Sequence, residues 1–169
     1  MRGAALVALA FACAGAGGAR GDSCPAHLFV LARSKNANVV VYDAVRGPRG
    51  GLAASEPVAA YWLLDGEESA REQLNGVERQ KAYGVDVTAE ETEGTWTMVF
   101  RARPGRRFTI RLRNGCFVAT VPISGREGIV HRLFVRTKEG LPPKVESVEF
   151  FGEDPESGAP LYEKLVPEK

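Results

Sequence analysis

Residues 107–122 read RFTIRLRNGCFVATVP. Phe108, Ile110 and Leu112 alternate with Arg107, Thr109, Arg111 and Arg113, which is the two-residue period of a half-buried strand. Asn114-Gly115 follows, then a second apolar run from Cys116 to Pro122. Two strands joined by Asn-Gly form the strongest short-range hairpin signature, because both turn residues must take positive φ. A two-residue loop fixes the register. It pairs Leu112 with Phe117, Ile110 with Ala119, and Phe108 with Val121. All six are apolar, so one face of the hairpin is predicted to be core. The same register sets Cys116 beside Arg113 on the opposite face.

Similar patterns extend in both directions. His27–Arg33 and Asn38–Ala44 read as strands, the first holding the apolar run Leu28–Ala32 expected of a strand covered on both faces. Pro57–Leu64 makes a third, closed by the turn signal Asp65-Gly66. Trp96, Met98, Phe100 and Ala102 alternate with other residues to give a strand before the hairpin. Ile129–Arg136, Lys144–Phe151 and Leu161–Val166 follow it. In the first of these, Ile129, His131, Leu133 and Val135 share one side, which makes His131 a hydrogen-bonded core residue. One helix interrupts the strands. Asn75 is a good N-cap and Glu78 stands three residues later, where a capping box places it. Gly84 supplies the stop, so the helix spans Gly76–Tyr83. The expected fold is mainly β: an antiparallel sandwich or barrel of eight or nine strands with one short helix.

The chain opens with Arg2, an apolar run from Ala4 to Ala14 and the small residues Gly15–Ala19. That order is a secretory signal, and cleavage is expected after Ala19. Residues 1–19 are then a signal peptide, 20–26 an N-terminal tether and 27–169 a single β domain. Cys13 has a rival role as a lipidated N-terminus: the small Ala12 before it fits, but the large Phe11 and the lack of leucine at Ala10 fit poorly. Arg20-Gly21-Asp22 matches an integrin-recognition tripeptide by chance. The 22 basic and 21 acidic residues become equal once Arg2 is removed. This balance gives no reason to expect nucleic acid as a partner. The apolar run is too short for a membrane span, and no later segment is longer. Cys24 and Cys116 remain after cleavage, an even pair in an oxidising compartment. A disulfide is the simplest reading, and two separate thiols the alternative. The location is periplasmic or secreted.

Three stretches look familiar: LFVLARSKNANVVVYDA (28–44), LNGVERQKAYGV (74–85) and VESVEFFGEDPESG (145–158), together with Tyr61-Trp62 and Glu163. They resemble the DUF4833 family, an exported bacterial domain of unknown function. The resemblance covers nearly all of the mature chain. It implies an envelope or secreted setting and no particular activity.

Polar residues set among the apolar strands are the candidate site. Arg33, Asn36, Asn38 and Asp43 flank the first two strands, Tyr61 and Trp62 lie on the third, and Glu78, Arg79 and Tyr83 come from the helix. If the helix packs over the mouth of the sheet, these groups converge on one neighbourhood. They then form either a small-ligand pocket or a structural polar network. Catalytic signatures such as Gly-x-Ser-x-Gly, His-Glu-x-x-His and Cys-x-x-Cys are missing. His27 and His131 are the only histidines, too few for zinc once the cysteines pair. A triad of Ser34, His131 and Asp43 has no supporting spacing. No cofactor or metal is expected. The sequence reads as a non-catalytic exported binding or envelope-structural domain, its partner an unknown small molecule or envelope component. The alternative is a hydrolase of an envelope polymer using Asp43 and Glu78 as paired carboxylates.

Overall fold

The computed structural model of the chain describes residues 24, 26–34, 36–65, 70–138 and 144–167. The expected signal peptide, Cys13, the Arg20-Gly21-Asp22 tripeptide and most of the expected tether lie outside the described residues. β1 (His27–Arg33) and β2 (Asn36–Ala44) pair antiparallel, and β3 (Val58–Leu63) and β4 (Arg71–Gln73) extend them. Helix α1 (Gly76–Lys81) follows. A meander of β5 (Val85–Ala89), β6 (Thr95–Phe100), β7 (Arg103–Arg113) and β8 (Cys116–Ile123) leads into β9 (Arg126–Lys138). β10 (Lys144–Glu153) and β11 (Pro160–Leu165) complete the described chain.

The eleven strands form one sheet, ordered β4-β3-β2-β1-β9-β8-β7-β6-β5, with β10 and β11 on the other edge of β9. The thirteen-residue β9 is the organiser. Its first residues pair with β8 and its later ones with β1, while β10 runs along the opposite edge. β1 and β9 run parallel, Val30 opposite Arg132 and Arg33 opposite Val135. The sheet is therefore mixed, and this corrects the all-antiparallel expectation. A parallel pair needs a long crossover, and everything from β2 to β8 supplies it. The sheet curls into a half-barrel around aromatic rings. Phe29 stacks on Tyr42 at 4.7 Å and on Phe108 at 5.7 Å, and Phe100 meets Tyr42 and Phe108 edge-on at 5.5 Å. At the far side, Arg106 bonds Glu163 at 2.6 Å beneath the Phe150 ring and fastens β11 to β7. That guanidinium lowers the Glu163 pKa.

The hairpin forms as read. Asn114 and Gly115 have φ of 51° and 82°, and Leu112 faces Phe117 as Ile110 faces Ala119. Ile110, Ala119, Phe108, Val121 and Phe117 are buried, but Leu112 at the hairpin tip is 45% exposed. Phe117 gains cover from Trp96 and Arg46. Gly115→Val is expected to destabilise the protein by about 1–3 kcal/mol, because a β-branched residue resists positive φ. An unchanged denaturation midpoint would show that the turn tolerates another geometry.

The disulfide joins Cys24 and Cys116, with 5.2 Å between Cα atoms. The capping box is present: Glu78 N–H donates to Asn75 Oδ1, and Asn75 N–H to Glu78 Oε2, both at 2.9 Å. Gly84 follows the helix because a Cβ there would lie 1.7 Å from the Arg79 carbonyl oxygen. His131 departs from expectation. Its side chain is 52% exposed and faces Glu153. A register shift between Phe151 and Gly152 on β10 interrupts the pairing opposite it. The inward period of β9 therefore moves from Val130 to Leu133, skipping His131.

Candidate functional site

Successive side chains on a strand point to opposite faces, and Tyr61 and Trp62 are successive on β3. This divides the nine candidate residues, which the sequence reading placed in one neighbourhood. Trp62 belongs to the inner face. Its Nε1 donates to Glu78 Oε1 at 3.2 Å, and the Tyr83 ring meets it edge-on at 5.1 Å. The Arg33 guanidinium sits 5.0 Å from the Trp62 ring centre and 5.5 Å from that of Tyr83. Arg33 Nε is buried without a hydrogen-bond partner among the described residues. The two rings supply a favourable face for its charge. Burial raises the Tyr83 pKa, with Arg33 opposing and Glu78 reinforcing the shift. Tyr42 OH donates to the Tyr83 carbonyl at 2.9 Å, so the exit of α1 is tied to β2. Arg33, Trp62, Glu78 and Tyr83 thus form one packed group.

Tyr61 and Asp43 form a second group on the outer face. Tyr61 OH donates to Asp43 Oδ2 at 2.7 Å. His27 Nδ1 lies 3.1 Å from Asp43 Oδ1, as the β1–β2 register places it. The Arg71 guanidinium covers the Tyr61 ring at 4.6 Å. Asp43, Tyr61, Arg71, Gln73, Arg46 and Phe117 line a concavity of about 530 Å³, with Cys24 at its wall. Arg46 is held by the Gly115 and Gly50 carbonyls at 2.8 and 3.1 Å and rests over Phe117. The disulfide and Arg46 together fix the hairpin tip against this hollow.

Three candidates belong to neither group. Asn36 Oδ1 accepts from the Asn38 amide at 3.0 Å, and Asn38 Oδ1 from the Asp65 amide at 2.9 Å, so both shape loops. Arg79 donates to the Leu74 carbonyl and to Gln73 Oε1, which holds α1 beside β4. Asp43 and Glu78 bond to Tyr61 and Trp62 respectively, on opposite faces of β3, and do not face each other. Among the described residues, no three His, Cys, Asp or Glu side chains are grouped to hold a metal. His27, Arg46, Arg71 and Gln73 were missed by sequence reasoning. The register opposite Asp43 could have found His27, whereas nothing in the exposed run Arg71-Glu72-Gln73 marks a strand.

Burial, then the Asp43 hydrogen bond and charge, push the Tyr61 pKa up to about 12, with Arg71 opposing. The folded protein favours the neutral phenol. The stability this confers is complete below the ordinary value of about 10 and is lost as pH rises through about 12. Phenolate absorbance is expected to show Tyr61 ionising at high pH in the native chain and at lower pH in Asp43→Ala. The same titration in both proteins would mean that Asp43 does not govern this phenol.

A family model described as a domain of unknown function, DUF4833, matches residues 29–164. No curated protein and no solved structure matches the chain. The family match runs from β1 into β11 and takes in both side-chain groups except His27, and on that extent the chain belongs to the DUF4833 family.

Proposed function

We propose that the mature chain is a non-catalytic exported protein of the bacterial envelope, periplasmic or secreted, whose outer concavity binds a small polar ligand. The observation that carries this reading is the meeting of Asp43, Tyr61 and Arg71 around one hollow of ligand size. An acceptor carboxylate and a guanidinium donor at one site suit a ligand bearing both donors and an anionic or carbonyl group. Two cross-links, the disulfide and Arg46, hold the far wall in place before a ligand arrives, which lowers the entropy cost of capture. The charged, apolar and small-residue order of the N-terminus supports export, and a disulfide is compatible with an oxidising compartment. The hydrolase alternative has less support. Two carboxylates that act on one glycosidic bond must flank it, and a sheet stands between Asp43 and Glu78.

The test is native mass spectrometry of the protein purified from its own envelope, beside Arg71→Ala purified identically. Arg71 is exposed, so its removal should change stability by no more than about 0.5 kcal/mol. A bound small molecule on the native chain and its loss from the variant are expected. Bare protein in both samples, or equal occupancy, would sink the proposal.

A further inference from the structure

Asp43 and Arg71 carry opposite charges, line the same outer hollow and do not bond each other. Each is held by another group. Asp43 Oδ1 meets His27 Nδ1 at 3.1 Å, and Asp43 Oδ2 accepts from the Tyr61 hydroxyl at 2.7 Å. The Arg71 guanidinium rests over the same Tyr61 ring, its carbon 4.6 Å from the ring centre. Tyr61 therefore keeps the two charges apart, one beyond its hydroxyl and the other over its ring. A phenol oxygen stands about 2.8 Å from its ring centre, and joining these lengths at ordinary hydrogen-bond angles puts the Arg71 carbon roughly 5–9 Å from Asp43 Oδ2. Arg46, the third charged residue of the lining, already donates from both terminal nitrogens to the Gly50 and Gly115 carbonyls. Ala26, Val45 and Ala59 add only small apolar side chains to the walls.

A carboxylate has about four acceptor positions, so Asp43 keeps acceptor capacity beside its bonds to His27 and Tyr61. A guanidinium presents a fork of N–H donors that matches a carboxylate with two bonds. We propose that the ligand of the outer concavity is a zwitterionic amino acid, its ammonium on Asp43 and its carboxylate on Arg71. This inference rests on the proposed ligand binding at that concavity and names the class of molecule bound. An ammonium nitrogen about 2.8 Å from Asp43 and a carboxylate paired with Arg71, both attached to one carbon, span the separation that Tyr61 sets. Each end of the ligand then meets its opposite charge. A plain carboxylate suits Arg71 but brings a like charge towards Asp43, whose side chain is 18% exposed, and repulsion there is weakly screened. A plain amine has the converse fault at Arg71. The remaining side chain of the amino acid lies along the small apolar residues of the wall.

Isothermal titration calorimetry of the mature chain, dialysed free of small molecules, tests the proposal. The probes are leucine of either hand and three analogues of the same skeleton. 4-Methylpentanoate lacks the ammonium, 3-methylbutylamine lacks the carboxylate, and 2-hydroxy-4-methylpentanoate has a hydroxyl in place of the ammonium. At neutral pH, one leucine enantiomer should bind at least tenfold more tightly than every analogue. Arg71→Ala should weaken leucine at least tenfold and leave the amine unchanged. Asp43→Asn should weaken leucine as much and leave 4-methylpentanoate unchanged. A variant that only loosened the fold would weaken all the probes alike. If Asp43→Asn fails to fold, the analogue series and Arg71→Ala still decide. Equal binding of leucine and any analogue, parallel losses of leucine and amine in Arg71→Ala, or no binding of any probe would overturn the zwitterion. If a co-purified molecule is nevertheless lost with Arg71, the concavity still binds a ligand, of another class. Bare protein from the envelope together with no probe binding would overturn both readings.

Discussion

Replacing Cys24 and Cys116 together with serine is expected to lower the unfolding free energy by about 2–5 kcal/mol. The bond joins residues 92 positions apart, and a long closed loop removes more entropy from the unfolded chain than a short one. It also has a folded-state role. Cys116 is the first residue after the Asn114-Gly115 turn, and the neighbouring Gly115 carbonyl holds Arg46. Opening the bond frees the hairpin tip from the N-terminal segment that walls the outer concavity. Urea denaturation should show a lower midpoint together with a steeper slope, since an uncross-linked unfolded chain exposes more surface. A serine double variant with the midpoint of the oxidised protein would show that the cross-link does not stabilise the fold.

Phe29→Ala should be as damaging, at about 3–5 kcal/mol. Phe29 is fully buried. Its ring is sandwiched between Tyr42 of β2 and Phe108 of β7, with Phe100 of β6 alongside at 6.3 Å. The two arms of the curled sheet therefore meet through this ring. Its removal leaves a cavity bounded by strands that are hydrogen-bonded to their neighbours, so the walls can collapse only in part. Phe29→Leu fills most of the space and should cost less than about 1.5 kcal/mol. Chemical denaturation of the two variants checks the difference. A loss below about 1 kcal/mol for alanine would mean that the arms repack without the ring.

Local patterns were legible because local physics dictates them. The hairpin, its register and its turn followed from alternation and from the positive φ that Asn114 and Gly115 accept. The capping box was readable from the spacing of Asn75 and Glu78. The cysteine pairing followed from an even count in a chain read as exported. Three features needed the tertiary fold. β4 is three exposed polar residues, held as a strand by β3 and not by any preference of its own. β5 is too short to stand out beside the helix, although Val85 and Val87 do alternate. The parallel β1–β9 pair joins segments about a hundred residues apart, which no local period encodes. The candidate site was half legible. Polar residues among apolar strands drew attention to Arg33, Asp43 and Glu78, which the structure divides between the two faces of β3. The alternation that sends Tyr61 and Trp62 to opposite faces was written in the sequence, and it separates Asp43 from Glu78.

The parallel β1–β9 pair sets a kinetic problem for a chain that emerges N-terminus first. Leu28–Ala32 appears early, yet its neighbour on one side is made only after seven further strands have been threaded. Non-local pairing of this kind slows folding and leaves apolar segments open to aggregation. Cys116 precedes β9, so oxidation can occur before the partner strand is in place. With Cys24 and Cys116 joined, the loop to be closed shrinks from about a hundred residues to about twenty, a saving of roughly 1.4 kcal/mol in closure entropy. That corresponds to about a tenfold faster search for β9. The order of events then matters as much as the final bond: oxidation of Cys24 and Cys116 ahead of β9 pairing speeds the closure that the finished bond only locks.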